Sequence, residues 1–264
     1  MRILITNDDG LQAEGIAVLA SALSAIGEVY VVAPATQQSA AGHGLTARDP
    51  LRAYHTPLPG ITENAWAVTG TPADCIKLAM EQLLGFKPDL VVSGINHGPN
   101  LATDTIYSGT VAGAMEGFLY GIPAIAVSVV GSHRRVPVPG NFSLAGRVAA
   151  AYGRQLHESG EKMFLNINVL GSSDADVKGV RFCRTGWRWY KDAFAKRVDP
   201  FGQEYYWLQG VIEDGVADGG TDVELCAEDY ITITPLQYDL TDYKALEKIA
   251  AQQLFADAYP TEKE

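Results

Sequence analysis

Runs of consecutive apolar residues alternate along this chain with segments whose apolar positions recur three and four apart. Residues 2–6 hold the first run, Ile3-Leu4-Ile5, the pattern of a strand covered on both faces. A polar turn, Asn7-Asp8-Asp9-Gly10, ends it. Ile16, Leu19, Leu23 and Ile26 then recur at helical spacing, with Gly27 as the stop. Residues 29–33 form a second run, closed by Pro34, and a loop rich in Gln, Ser, Ala and Gly comes next over 35–44. Strand, helix and strand through short joints predict a doubly wound α/β sheet with mostly parallel strands.

The alternation continues downstream. Residues 65–69 read as a strand, and Thr71-Pro72-Ala73-Asp74 opens a helix with a cap, a first-turn proline and an acid at the third position. Ile76, Ala79, Met80, Leu83 and Leu84 give that helix its apolar stripe. Strands are predicted at 90–93, 124–129 and 163–169, and helices starting at Ser108 and spanning 142–157. Beyond Lys178 the texture changes. Residues 178–190 and 204–209 are rich in aromatic and β-branched side chains around the turn Asp199-Pro200-Phe201-Gly202, which predicts a β-hairpin arm outside the main sheet. Residues 231–234 alternate as a strand, and Leu246, Ile249, Ala250 and Leu254 mark a terminal helix. An aromatic hairpin exposes apolar surface, so packing on a second subunit is expected.

Composition narrows the partners. At 264 residues the chain is one large domain, or a domain with an appendage. Apolar residues make up 47 % and charged ones 19 %, enough to bury a core and too little charge for disorder. A net charge of −11 argues against a nucleic-acid polymer, which needs clustered Lys and Arg to displace counterions. No apolar stretch approaches the roughly 20 residues that span a bilayer, and the first apolar run is too short for a signal sequence. Cys75, Cys183 and Cys226 lie far apart, without zinc spacing, and read as buried free thiols. The expectation is a cytoplasmic protein without a membrane partner.

Ligands of open parallel sheets bind beyond the carboxyl ends of the strands, where the strand order reverses. Asn7, Asp8 and Asp9 stand after the first strand, Ser39 after the second and Asn96 after the 90–93 strand, with the helix start Ser108-Gly109-Thr110 soon afterwards. Two carboxylates with neutral Ser and Asn oxygens make an oxygen-only set that suits Mg²⁺ or Mn²⁺, and Ca²⁺ less strictly. Two Asp charges balance a divalent ion, and a helix start with Gly109 offers backbone N–H groups to a phosphate without a lysine. Each piece also has a plainer reading. Asn-Asp-Asp-Gly alone is a turn, Ser39 a loop serine, Asn96 a turn former, Ser108-Gly109-Thr110 a helix cap and Arg134-Arg135 a solvated pair. His97 has no visible partner for proton transfer. GxGxxG and GxxxxGK[ST] are both absent, which removes the usual dinucleotide and NTPase sites.

In order, the chain carries ILITNDDG (3–10), Ser39 in its small-residue loop, VTGTPADC (68–75), VSGINHGPN (92–100), YSGTVAGAMEG (107–117), YYWL (205–208) and YITITPL (230–236). This ordered set resembles the SurE (survival protein E) family of metal-dependent nucleotidases. The resemblance implies a Rossmann-like catalytic core over 1–177, joined over 178–264 to a hairpin arm, strand and helix exchanged between subunits of a homodimer or homotetramer. It implies one divalent ion per subunit, Mg²⁺ or Mn²⁺, held by Asp8, Asp9, Ser39 and Asn96. It also implies hydrolysis of nucleoside 5′- and often 3′-monophosphates, with short polyphosphate as a side substrate in some members. Ala40, and Glu228-Asp229 before Tyr230, stand where such proteins commonly have glycine, and none of the three supplies a proposed ligand oxygen.

The mechanism expected is metal-assisted phosphomonoester hydrolysis, with Asp8 as catalytic base or nucleophile and Asn7, Ser108, Gly109 and Thr110 on the substrate. Two readings from other classes stand beside it. A receiver-type signalling module needs a phosphoacceptor Asp where this chain has Ser93, Asn96 and Ser128, and a non-catalytic nucleotide-binding protein would use the same site without turnover. The DxDx[TV] element of haloacid-dehalogenase phosphatases is absent.

Overall fold

In a computed structural model describing residues 1–131, 142–171, 174–215 and 219–252, the apolar runs lie side by side as strands. These are β1 (Arg2–Thr6), β2 (Glu28–Pro34), β3 (Ala53–His55), β4 (Ala65–Val68), β5 (Leu90–His97), β6 (Ala124–Val130) and β7 (Phe164–Leu170). The later strands are β8 (Gly179–Phe182), β9 (Arg188–Lys191), β10 (Phe194–Val198), β11 (Glu204–Leu208), β12 (Val211–Asp214) and β13 (Tyr230–Leu236). The α-helices are α1 (Glu14–Ser24), α2 (Pro72–Leu78), α3 (Gly109–Leu119), α4 (Phe142–Ser159), α5 (Asp222–Ala227) and α6 (Tyr243–Gln252).

Among the described residues, nine strands form one sheet in the order β3-β4-β2-β1-β5-β6-β7-β13-β8. From β4 through β7 every neighbour is parallel, whereas β3 and β13 run against β4 and β7. The chain steps outward from β1 to β2 and β4 on one side, then from β5 to β6 and β7 on the other. Strand order therefore reverses between β1 and β5, where such sheets bind ligands.

Successive side chains point to opposite faces of a strand, and the core divides accordingly. Ile3 and Ile5 join Ile16, Leu19, Leu23 and Ala149 under α1 and α4. Leu4 joins Val91, Ala126, Ile76, Val111 and Phe164 under α2 and α3. Each fully buried Ile, Leu or Val side chain among these contributes about 1.5–3 kcal/mol. The small residues of α3 have a packing cause: a Cβ on Gly117 would stand 2.6 Å from the side chain of Val91. That close seat holds α3 against the sheet, and the helix start faces the switch point.

The capping box read at Thr71 is present. Thr71 Oγ1 accepts from the Asp74 N–H at 3.1 Å, and Asp74 Oδ2 accepts from the Thr71 N–H at 3.0 Å, with Pro72 at the first position. The helix then continues as a wider π-turn over Ala79–Leu83 rather than as one α-helix.

Two expectations need correction. The strand expected at 90–93 runs on to His97 through a register shift between Ser93 and Asn96, so Asn96 lies within the strand, next to its last residue, instead of coming after it. The shift passes through Gly94, whose backbone lies so near β6 that a Cβ would stand 2.3 Å from the Val127 carbonyl oxygen. The segment 178–190 is not wholly outside the main sheet either. β8 pairs in parallel with β13 inside it, and only the chain beyond β8 leaves as an arm, in which β9 pairs with β12 and β10 with β11. Short stretches were too brief to read in sequence, among them β3, β12 and α5. The Arg134-Arg135 pair and Leu254 lie outside the described residues. No helix of the described residues is long and apolar enough to cross a membrane.

Candidate active site

Toward their carboxyl ends, the central strands change from apolar to polar on the face that carries α3. By alternation Leu4 gives way to Thr6, Val91 to Ser93, Ala126 to Ser128, and Phe164 to Asn166 and Asn168. All these polar residues are buried. Such a floor is costly in a core unless its groups are satisfied or serve a site above them.

Beyond Thr6 the chain turns through Asn7, whose amide closes the turn at both ends: Nδ2 donates to the Gly10 carbonyl at 2.9 Å and Oδ1 accepts from the Gly10 N–H at 3.2 Å. That turn directs the two acids apart. Asp8 is buried and faces the start of α3, where its Oδ1 accepts from the Thr110 hydroxyl at 2.5 Å. Gly109 lets the helix approach, since a Cβ there would stand 2.8 Å from the Asp8 Cβ and 3.1 Å from Oδ2. Asp9 reaches the other two segments. Its Oδ2 accepts from the His97 N–H at 3.1 Å, beside Asn96, and its Oδ1 accepts from the Gln37 amide at 3.4 Å, which also donates to Ser39 Oγ at 2.9 Å. Asn96 donates through Nδ2 to the Gly98 carbonyl at 2.8 Å, which commits its nitrogen and leaves Oδ1 as the donor oxygen.

The sequence-predicted residues thus converge on one sheet edge: Asp8 with Gly109 and Thr110, Asp9 with the Ser39 loop and the end of β5. Ser108 caps α3, its Oγ accepting from the Val111 N–H at 3.1 Å and its carbonyl from the Ala112 N–H at 3.0 Å. The N–H groups of Gly109 and Thr110 stand ahead of those, in the first turn where helices bind anions. Asn7 is the exception. Expected on the substrate, it spends its amide within its own turn.

Burial pushes the Asp8 carboxyl above the usual carboxylate range, against the lowering bond from Thr110, and the neighbouring Asp9 charge adds to the rise. The partners of both acids are neutral hydroxyl and amide groups. Two adjacent carboxylates with Ser and Asn oxygens, without a cationic partner among the described residues, make a hard-oxygen donor set that fits Mg²⁺ or Mn²⁺. Among the described residues no three His, Cys, Asp and Glu gather as a metal group, in keeping with a set that is half neutral.

Several residues that support the site gave no signal in sequence. Gln37 joins Asp9 to Ser39 although nothing distinguishes it in its loop. The rest of that loop is stapled to α2 and α3. Thr46 donates to Asp74 through its N–H and, at 2.6 Å, through its hydroxyl, and Thr71 Oγ1 donates to the Gly44 carbonyl at 2.7 Å. His43 Nε2 lies 2.7 Å and Lys77 Nζ 2.9 Å from the carboxylate oxygens of Glu116. Glu116 had a visible clue, as the one charged residue of α3. Burial pushes its carboxyl up, but the bonds from His43 and Lys77 outweigh that and hold it below the ordinary value.

The model of the survival protein SurE family matches residues 3–192. The chain is similar to a Pelotomaculum thermopropionicum protein named 5′-nucleotidase SurE, 47 % identical over 254 residues that cover 94 % of each. It is similar to a protein of the same name from Heliobacterium modesticaldum, 43 % identical over 252 residues, 95 % of this chain and 91 % of that one. Among solved structures, the crystal structure of the SurE protein from Aquifex aeolicus superposes with a TM-score of 0.78 at 38 % identity, covering 96 % of this chain and all of that one.

Proposed function

The chain belongs to the SurE family, and from that premise we propose that it is a divalent-metal-dependent 5′-nucleotidase that releases phosphate from nucleoside monophosphates, from 5′ and also 3′ esters. The observation that carries this reading is the junction of Asp8 with the first turn of α3, a buried carboxylate against an anion-binding helix start.

One Mg²⁺ or Mn²⁺ per subunit, held by Asp8, Asp9, Ser39 and Asn96, would supply Lewis-acid charge opposite the phosphate. The N–H groups of Gly109 and Thr110 bind the equatorial phosphate oxygens, with the Ser108 and Thr110 hydroxyls beside them. Asp8 accepts the proton of the attacking water at the oxygen not bonded to Thr110. Asn7 serves by fixing the turn that presents both acids.

The reading is tested by phosphate release from AMP with Mn²⁺, with and without EDTA. Wild type releases phosphate, EDTA stops it, and Asp8→Asn lowers kcat by about a hundredfold or more. Full activity of Asp8→Asn in excess Mn²⁺ overturns the assignment. A binding protein without turnover releases no phosphate in any arm, and a receiver-type module is also excluded by sustained turnover.

We also propose that the arm pairs with a second copy in a homodimer or homotetramer, because it exposes Phe194, Tyr206, Trp207 and Leu208 together on β10 and β11. The cytoplasm fits its three free cysteines, Cys75, Cys183 and Cys226.

A further inference from the structure

A line of polar side chains crosses the sheet away from the acids. Asn96 on β5 is in register with Ser128 on β6, Ser128 with Asn168 on β7, and Asn168 with Thr232 on β13. Ser128, Asn168 and Thr232 are fully buried, positions that strands of a parallel sheet ordinarily fill with aliphatic residues. Their partners explain them. Asn168 grips the backbone of Asn100 at both ends, its Oδ1 accepting from the Asn100 N–H at 2.9 Å and its Nδ2 donating to the Asn100 carbonyl at 3.1 Å. Asn166 Nδ2 donates to the same carbonyl at 2.8 Å, and the Asn100 side chain donates to Ser128 Oγ at 2.7 Å.

Asn100 ends the short loop that leaves β5 after His97, next to Asn96. That loop is held along its length: Asn96 Nδ2 donates to the Gly98 carbonyl, the Gly98 N–H donates to the Val129 carbonyl at 3.1 Å, and Asn100 is clamped by Ser128, Asn166 and Asn168. Resting on the metal-site reading above, we infer that Asn168, with Ser128, is a positioning residue for Asn96. It anchors the far end of the loop and thereby fixes how Asn96 presents its oxygen to the ion. Partners of this kind, one step removed from a ligand, change metal affinity by about 10–100-fold when lost.

Isothermal titration of the purified full chain with Mn²⁺, without nucleotide, tests this on Asn168→Leu, Ser128→Ala and Asp9→Asn, beside melting of each metal-free variant. The expected result is Mn²⁺ binding about tenfold or more weaker in Asn168→Leu and in Ser128→Ala. The Mn²⁺ concentration for half-maximal AMP hydrolysis rises in step, while the rate at saturating Mn²⁺ stays within about threefold. A merely structural role lowers the melting temperature and leaves the Mn²⁺ affinity of the folded protein unmoved, and that outcome overturns the inference. If Asn168→Leu does not fold, Ser128→Ala decides by the same criterion. Asp9→Asn separates the two levels: loss of Mn²⁺ binding there with unchanged binding in the other variants refutes the positioning role alone. Unchanged binding in Asp9→Asn refutes the metal site itself, and the inference with it.

Discussion

At Gly109 a single added methyl group meets Asp8, because the helix start and the acid are already in contact. Gly109→Ala is expected to lower kcat/KM for AMP by about tenfold or more, while overpacking costs about 1–3 kcal/mol of stability. Steady-state kinetics beside thermal melting separate the two, and unchanged kinetics remove the proposed role of that junction. The main site residues were legible as residues, since a strand end at a switch point limits the candidates to a few positions. Gln37 and Asn168 were not, and Glu116 showed only as the one charge of α3. Their partners lie 28 and 68 positions away, and those of Glu116 39 and 73, so only the folded sheet brings them together.

The element that answers most directly to pH is α3, through Glu116. Its carboxyl lies below the ordinary 4.5, so the stability from its bonds to His43 and Lys77 is present above about pH 4.5 and is lost as the medium acidifies through the folded value. Glu116→Gln should therefore be less stable than wild type at pH 6, by about 1–3 kcal/mol, and the gap should be smaller at pH 3. Denaturant unfolding at both values checks the sign, and a gap that widens in acid contradicts the pairing. Apart from the three-residue β3, the strands from β1 to β7 tracked the hydrophobic pattern closely. Reading failed where the backbone departs from regular geometry, at the β5 register shift and the π-turn after α2, and where β8 has too few buried residues to declare its partner.

For the whole molecule, the arm carries its aromatic residues out of the core that the sequence placed so well. With Trp207→Asp and Leu208→Asp together, light scattering is expected to show a shift from an oligomer toward a single chain. A wild-type mass already equal to one chain removes the subunit-exchange proposal. The doubly wound architecture was readable because each strand and helix reports its own burial. Which strand lies beside which was not, since register is a property of pairs.

The reversal of strand order between β1 and β5 has a thermodynamic consequence. Asp8 and Thr110 meet across 102 positions of chain, and closing such a loop costs conformational entropy that grows with its length. That cost falls on folding, when the sheet assembles, and none of it is left for the moment of encounter. A small anion arriving at the sheet edge finds donors already aimed, so its own binding energy remains free for chemistry.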